Sequence, residues 1–193
     1  MSNNKYTVVI NGSGGVGKDS FVKLVTEVLD GKVINYSSVS PIKLLASEVG
    51  WNGEKTEKDR KFLSDLKLLC TRYNDFPFNN MRKVVKDFLG DSSKDCAKIL
   101  FLHIREPKEI KRAVKEFNAK TVIITNLRVA DIKSNEADEN VYDYKYDYYI
   151  DNSGSFDDLM EAAKIFISEL DNNKPQLNML EIWLRIGVKN ESY

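Results

Sequence analysis

The sequence predicts an α/β fold, a doubly wound parallel sheet of about five strands with flanking helices. Two observations carry this prediction. Short β-branched or apolar runs alternate with segments of helical periodicity along the chain, which is typical of a parallel sheet. The run AKILFLHI, residues 97–104, is apolar almost throughout, as expected for a central strand that is buried on both faces.

The first predicted unit is strand, glycine loop and helix. Residues 6–10 form a β-branched run that ends at glycines, and from Lys18 onward Phe21, Leu24 and Val25 fall on one helical face. Further strands are predicted in KVINYSS, AKILFLHI, KTVIIT and YYI. Helices are predicted from Ser40, with Ser40 as the N-cap, from Pro107, and over residues 156–170 behind a Ser155 and Asp158 capping box.

Length and composition favour one domain spanning residues 1–193, because 193 residues with 42% hydrophobic content can bury one sizeable core. Within it we expect a charged helical insertion at about residues 52–90 and a polar lid at about 126–147. A connection as long as the second segment is more typical of a lid or binding loop than of a passive turn. The apolar tail, about residues 174–193, has two open roles, closing the core or forming a homodimer contact.

Charge and targeting signals exclude several function classes. Lys and Arg total 29, as do Asp and Glu, so no net charge favours a nucleic-acid polymer or a membrane surface as partner. The sequence contains neither a signal-peptide pattern nor an apolar run of membrane-spanning length. The two cysteines have neither metal-site nor disulfide-scaffold spacing, so we expect a cytoplasmic protein with reduced thiols.

The segment GSGGVGKDS, residues 12–20, matches the first fixed positions of the G-x-x-x-x-G-K-[ST] phosphate loop. Glycines let backbone amides converge on an anion, the helix N-terminus adds partial positive charge, and a lysine reaches the terminal phosphates. We therefore predict that the loop residues bind the phosphates of ATP: Gly12, Ser13, Gly14, Gly15, Val16, Gly17, Lys18, Asp19 and Ser20.

Asp19 stands where that pattern has serine or threonine, and the hydroxyl follows one residue later at Ser20. We predict that Ser20 holds Mg²⁺, directly or through water. For Asp19 two roles stay open, stabilisation of the first helical turn by the helix dipole and participation in the Mg²⁺ shell.

With this displaced hydroxyl the loop resembles those of the P-loop nucleotide kinase superfamily, and GKDS is similar to the loops of deoxynucleoside monophosphate kinases and phosphomevalonate kinases. The stretch YSSVSPIKLLASEVGWNGEKTEKDRKFLSDL, residues 36–66, resembles the helix and tryptophan turn that follow the second strand in the first group. That resemblance implies that Lys43 faces the phosphate acceptor. Arg72 and Arg82, on the following helical stretch, are further substrate-binding candidates.

The stretch HIREPKE, residues 103–109, matches the D-x-R-x-P-x-E pattern of the same group at Arg105, Pro107 and Glu109. His103 replaces an acid that the resemblance would assign to organising Mg²⁺ or the acceptor hydroxyl. For His103, a hydrogen-bonded core role and a catalytic role both stay open. Arg105 follows a predicted buried strand, where open α/β sheets bind ligands, so we predict that it contacts substrate and assists transfer.

Two further candidates follow the last strands. Arg128 comes directly after KTVIIT and is the candidate lid arginine for the transferring phosphoryl group, with an ion pair to Asp131 as the alternative. YDYYIDNSGSFDDL, residues 146–159, is similar to the last strand and helix of this kinase group and of dephospho-coenzyme A kinases. There the loop after the strand packs on adenine, which implies that Asn152 and Gly154 contact the nucleotide.

These features predict an ATP- and Mg²⁺-dependent kinase of a small molecule, a nucleoside monophosphate or a similar phosphorylated metabolite. Two alternatives belong to other classes. A regulatory nucleotide-binding module would keep the loop and lack turnover. A GTPase-type switch is disfavoured because DNSG, residues 151–154, follows the last strand and no N-K-x-D motif occurs in the chain. The acceptor and the choice between ATP and GTP stay open.

Overall fold

A computed structural model describes residues 4–129 and 141–172. Five strands lie in this part of the chain: β1 (Tyr6–Asn11), β2 (Val33–Ser37), β3 (Ile99–His103), β4 (Lys120–Thr125) and β5 (Tyr148–Asp151). The same residues form six helices: α1 (Lys18–Val28), α2 (Ser40–Glu48), α3 (Glu57–Asn74), α4 (Phe76–Gly90), α5 (Pro107–Phe117) and α6 (Phe156–Asp171).

The five strands form one sheet in the order β2-β3-β1-β4-β5. β1 pairs in parallel with β3 on one side and β4 on the other, and β4 pairs in parallel with β5. In the first pairing Ile10 lies opposite His103. The predicted parallel α/β fold is thereby confirmed, and the carboxyl ends of β1, β3 and β4 meet at one edge of the sheet.

The main core lies on the sheet face that α1 and α6 cover. Val8, Ile10, Ile99 and Phe101 project from β1 and β3 into this core with a period of two. Phe21 of α1 and Phe166 of α6 pack there with their ring centroids 5.5 Å apart. α5 packs against β1 and buries Ile110 and Ala113.

The chain divides into two compact units, one made of residues 1–35 and 97–193 and the other of residues 36–96. The first unit contains the glycine loop and most of the sheet. The second contains α2, α3 and α4, which pack against one another. The predicted helical insertion lies within this second unit, while the expectation of a single domain stays a prediction.

Local sequence explains where the longer helices begin. Thr56 and Asp59 form a reciprocal capping box at the start of α3, and Ser155 and Asp158 form the predicted one at the start of α6. The prediction for α2 was wrong by one position: its N-cap is Val39, which is already in the right-handed helical region, and Ser40 is the first helical residue.

Part of the predicted lid, residues 130–140, and the predicted tail lie outside the described residues, as does Asp131. Within the described ranges, no helix combines the length and the apolar character that crossing a bilayer requires.

Candidate functional site

The loop that joins β1 to α1 has a backbone that requires glycine at three positions. Gly12, Gly15 and Gly17 have φ angles of 144°, 81° and 95°, a region that side chains with a Cβ disfavour. Ser13 and Val16, between these glycines, are buried, and Gly14 is partly buried. The side chains of Ser13 and Val16 are therefore packed inside the protein, while the glycines allow the backbone conformation of the loop.

Two of these glycines are also in close contact with neighbouring strands. A Cβ on Gly12 would collide with the carbonyl oxygen of Ile124 in β4, and a Cβ on Gly17 would collide with the side-chain amide of Asn152. The absence of a side chain lets the loop lie directly on the ends of β4 and β5. These contacts hold the loop at the carboxyl ends of the strands, where open α/β sheets bind their ligands.

Lys18, the first residue of α1, bends back over the loop. Its Nζ donates to the carbonyl oxygens of Gly12 at 2.6 Å and Ser13 at 2.7 Å. The ammonium group thus lies over the first two residues of the loop. A phosphate in the loop would meet this charge.

The N-terminus of α1 presents backbone donors without a side-chain cap. Gly17 is the N-cap residue and has no side chain to accept from the first turn, whose amide groups lack partners within a helix. Asp19 and Ser20 lie on this turn and are exposed. Partial positive charge at the turn favours an anion there, and also favours the Asp19 carboxylate, so both roles of Asp19 stay open.

Asn11 and Tyr146 form a buried hydrogen-bond network at the start of the loop. Asn11 Oδ1 accepts from the backbone N–H of Gly12 at 2.8 Å, and its Nδ2 donates to the Tyr146 hydroxyl at 2.7 Å and to the Arg105 carbonyl oxygen at 3.2 Å. The Tyr146 hydroxyl donates in turn to the Val141 carbonyl oxygen at 2.8 Å. Burial raises the pKa of Tyr146 to about 12, although the Asn11 hydrogen bond opposes this shift.

Sequence reasoning missed both members of this network. Asn11 directly follows an apolar run and Tyr146 lies in a tyrosine-rich stretch, so neither residue stands out by its local pattern. An asparagine directly before the first loop glycine was the available signal, because a buried amide at a strand end needs partners for its own hydrogen-bonding groups.

The loop after β5 contacts the glycine loop through Asn152. Its Nδ2 donates to the Val16 carbonyl oxygen at 2.9 Å, and its backbone N–H donates to the Thr125 carbonyl oxygen at 2.7 Å. Asn152 thus positions the phosphate loop. Gly154 is exposed beside the capping box of α6, where a Cβ would lie 2.6 Å from Asp158 Oδ2.

His103 and Arg105 lie where β3 ends, next to the start of the loop. His103 is half-buried, with its Nε2 at 2.6 Å from Asn35 Oδ1. Burial lowers the pKa of His103, the nearby charges of Lys18 and Arg105 lower it further, and Asp19 opposes them. Arg105 is partly buried, and its carbonyl oxygen accepts from Asn11. The charges of the predicted Lys18, Asp19 and Arg105 thus all act on His103.

Arg128 lies in the turn after β4 and is exposed. Its backbone N–H donates to Asn126 Oδ1 at 2.9 Å, and in the same turn Leu127 N–H donates to Ser153 Oγ at 2.7 Å. These bonds hold the turn and leave the guanidinium of Arg128 at the surface.

The other three predicted substrate residues belong to the second unit. Lys43 is exposed on α2, and Arg72 is exposed in the last turn of α3, where a cation is favoured by the helix dipole. Arg82 on α4 donates to Asn79 Oδ1 at 2.6 Å, lies 3.7 Å from an Asp75 carboxylate oxygen and stacks over the Phe78 ring. Arg82 therefore has a structural role in α4, and its substrate role stays a prediction.

No cluster of three or more His, Cys, Asp or Glu side chains suited to a metal ion occurs in residues 4–129 and 141–172. Mg²⁺ beside a nucleotide does not need such a cluster. The ion keeps several of its waters and binds one or two protein oxygens together with the substrate phosphates. The exposed oxygens of Ser20 and Asp19 fit that requirement.

A parallel strand that runs through a glycine-rich loop and a lysine into a helix is the P-loop arrangement. Together with the parallel sheet and its flanking helices, it gives the chain the architecture of P-loop α/β proteins. Two solved structures are similar to it, each with 11% sequence identity.

The first is shikimate kinase from Aquifex aeolicus, with a TM-score of 0.47 and coverage of 86% of this chain and 98% of that chain. The second is thymidylate kinase from Ehrlichia chaffeensis, with a TM-score of 0.30 and coverage of 97% and 99%. Likeness at this level of identity concerns the fold alone. No protein-family model and no curated protein sequence matches the chain.

Proposed function

We propose that this protein is an ATP-dependent kinase that transfers a phosphoryl group to a small molecule, a nucleoside monophosphate or a similar phosphorylated metabolite. The observation that carries the proposal is the phosphate loop, in which Lys18 Nζ lies over the carbonyl oxygens of Gly12 and Ser13. We also propose a cytoplasmic location.

The loop supplies what the donor needs. Phosphoryl transfer asks the protein mainly to align two substrates and to neutralise developing charge. The uncapped first turn of α1 offers backbone donors for the phosphates, and Lys18 would exchange its loop carbonyls for a terminal phosphate oxygen. Ser20 and Asp19 would hold Mg²⁺, which supplies further neutralising charge when bound.

Two arginines would supply positive charge to the phosphoryl group during its transfer. Arg105 lies at the end of β3 beside the loop, and its carbonyl oxygen is fixed by Asn11. We assign Arg105 to anion binding at the reacting centre and Arg128 to the lid, which must exclude water because water is a competing acceptor. Lys43, Arg72 and Arg82 stay candidates for binding the acceptor.

The test is replacement of Lys18 by alanine, with Lys23→Ala as the matched control. Lys23 is an exposed lysine on the same helix, so the control removes an equal charge away from the loop. Loss of one preorganised charged donor lowers kcat by about 10²–10³-fold. We expect this loss for Lys18→Ala and unchanged kcat for Lys23→Ala, measured as ADP formation with ATP and Mg²⁺ across a panel of phosphoryl acceptors.

The acceptor panel contains nucleoside monophosphates, phosphomevalonate and dephospho-coenzyme A, each tested with ATP and GTP. ADP or GDP formation that depends on one acceptor and on Lys18 supports the proposal. Nucleotide binding in calorimetry with no turnover on any acceptor contradicts it and favours the regulatory module. Equal turnover in the two lysine variants would mean that the loop does not bind the donor.

A further inference from the structure

The imidazole of His103 is held in one tautomer by the strand beside it. Its Nε2 lies 2.6 Å from Asn35 Oδ1, and an amide oxygen only accepts hydrogen bonds. The proton of the neutral ring therefore resides on Nε2, and Nδ1 carries a free lone pair.

The surroundings of the ring keep it neutral. Burial disfavours the protonated ring and lowers the pKa of His103 from its ordinary value of 6.5. The charges of Lys18 and Arg105 act in the same direction as burial, and the charge of Asp19 opposes them. At neutral pH the ring is thus an acceptor at Nδ1 rather than a cation.

The position of the ring places it at the phosphate loop. His103 follows Ile99 and Phe101 with a period of two, so its side chain emerges on the sheet face that α1 covers. His103 on β3 lies opposite Ile10 on β1. Ile10 precedes Gly12, the first glycine of the loop, by two residues. Because Nε2 is turned toward Asn35 on β2, Nδ1 lies on the other side of the ring.

Nδ1 has no hydrogen-bond partner among residues 4–129 and 141–172. It is also not one of the buried atoms that lack a partner in this part of the chain. The lone pair is therefore accessible to solvent or to a ligand, and the charges of Lys18, Asp19 and Arg105 act on the ring that carries it.

A bare lone pair at this point discriminates between two kinds of acceptor oxygen. A phosphate monoester has its second pKa near 6, so at pH 7 its oxygens are mostly anionic and need no base. The Nδ1 lone pair would also repel these anionic oxygens, which a cation would stabilise. An alcohol, in contrast, has a proton to donate and must lose it when its oxygen is phosphorylated.

We propose that His103 accepts a hydrogen bond from the hydroxyl group of an alcohol acceptor and takes its proton during transfer. The alcohol O–H bond breaks and the proton passes to Nδ1, while the alcohol oxygen bonds to the γ-phosphorus and the bond from that phosphorus to the β,γ-bridging oxygen breaks. ADP leaves, and the proton is later released to solvent. This inference rests on the proposed kinase function and narrows its acceptor to a metabolite that is phosphorylated on a hydroxyl group.

The first experiment needs no turnover. His103 is the only histidine in the sequence, so protein expressed without a polyhistidine tag gives a single imidazole in ¹⁵N NMR spectra. At pH 7.5, a pH chosen above the ordinary pKa of histidine, we expect chemical shifts of the Nε2–H tautomer with a bare Nδ1. Asn35→Ala should produce a mixture of the two tautomers. A spectrum of the Nδ1–H tautomer in the unmodified protein would overturn the inference whatever the kinetics show.

The second experiment compares acceptors. Hydroxyl probes are nucleosides and dephospho-coenzyme A, and phosphate probes are nucleoside monophosphates and phosphomevalonate. With a hydroxyl probe we expect His103→Gln to lower kcat by about 10²–10⁴-fold, the usual contribution of a general base, with an unchanged KM for ATP. His103→Asp should restore part of the rate because a carboxylate can also take the proton. A merely structural histidine would instead change the melting temperature and ATP affinity without rescue.

The outcomes separate this inference from the proposed function. Turnover of phosphate probes alone overturns the role of His103 and leaves the kinase proposal standing. If a hydroxyl probe is phosphorylated and His103→Gln does not slow its turnover, the role of His103 is also overturned and the kinase proposal stands. If no probe is phosphorylated and calorimetry still detects ATP binding, the kinase proposal fails and this inference fails with it.

Discussion

Tyr146 and Asn11 together join three parts of the site by buried hydrogen bonds. The hydroxyl accepts from Asn11 at the start of the phosphate loop and donates to the Val141 carbonyl oxygen, while Asn11 also contacts the carbonyl oxygen after β3. A phenol buried in this way must stay protonated to keep its donor bond. Both the stability and the pH response of the fold should therefore depend on this residue.

We expect Tyr146→Phe to lower the free energy of unfolding by about 1–3 kcal/mol, since the Val141 carbonyl oxygen and Asn11 amide lose a buried partner. Tyr73→Phe is the control, because Tyr73 is 85% exposed, and should change the free energy little. The measurement is urea unfolding at pH 7.5, a pH chosen well below the pKa of tyrosine.

The free energy of unfolding of Tyr146→Phe should also depend on pH differently from that of the unmodified protein. The folded pKa of Tyr146, about 12, lies above its ordinary value of 10.0, so the folded state holds the proton more tightly than the unfolded state does. This contribution to stability is complete below the ordinary value and is lost as pH rises toward the folded value. Unfolding curves between the two values should show a shallower fall in stability for Tyr146→Phe than for the unmodified protein. Identical slopes would contradict the assignment of this alkaline loss to Tyr146.

At this scale the sequence predicted Lys18 and the loop glycines because their spacing is local and each residue type has one plausible task. It did not predict Tyr146, whose partner Asn11 lies 135 positions away. For His103 it left two roles open, and only its position beside Asn35 and Lys18 favours one of them. Long-range partners carry no local pattern, so they became visible in the structure alone.

At the scale of elements, the unit of β1, loop and α1 depends on how closely its backbone approaches its neighbours. Gly17 combines a φ of 95° with a contact to Asn152 that excludes a Cβ. Gly31, after α1, has a φ of 81° and open space around it. The two glycines share the backbone requirement and differ in the contact, which makes them a matched pair.

We expect Gly31→Ala to cost about 1–2 kcal/mol from the left-handed backbone alone. Gly17→Ala should cost about 1–3 kcal/mol more, because Asn152 must move and its bond to Val16 is lost. It should also weaken ATP binding, which calorimetry measures alongside chemical denaturation. Equal losses of stability in the two variants would mean that the loop can move away from β5 without cost.

The elements themselves were predictable where the periodicity was strong. The strands, the Pro107 start of α5 and the capping box of α6 agree with the sequence prediction. Within the predicted helical insertion, the structure has two long helices, α3 and α4, which are separated at Asp75, whose φ is 57°. The local signal for this break is Pro77, because proline is favoured in the first turn of a helix and disfavoured in its interior.

At the scale of the whole molecule, four aromatic rings lie close together within the core between α1, α6 and the sheet. Phe166 of α6 lies with its ring centroid 5.1 Å from that of Tyr148, 5.5 Å from that of Phe21 and 6.2 Å from that of Phe101. One side chain of α6 thus contacts α1, β3 and β5. Periodicity predicted that each of these faces is apolar, but not that the four rings meet.

Replacing Phe166 by alanine should lower the free energy of unfolding by about 3–5 kcal/mol, as for other buried aromatic side chains. Phe156→Ala, at the exposed first residue of the same helix, should have a much smaller effect. Thermal and denaturant unfolding of both variants check the difference. A small loss for Phe166→Ala would show that the remaining rings can close the cavity.

The order of the strands also determines when, during synthesis, this chain can acquire a phosphate loop. β1 is made first, but its two sheet partners are residues 99–103 and 120–125, and Asn152, which holds the loop, follows later still. These later residues must therefore leave the ribosome before β1 and the loop have their final neighbours. Until then, the apolar β1 has exposed edges, the kind of transient surface that chaperones protect, and we expect nucleotide binding only after Asn152 has left the ribosome.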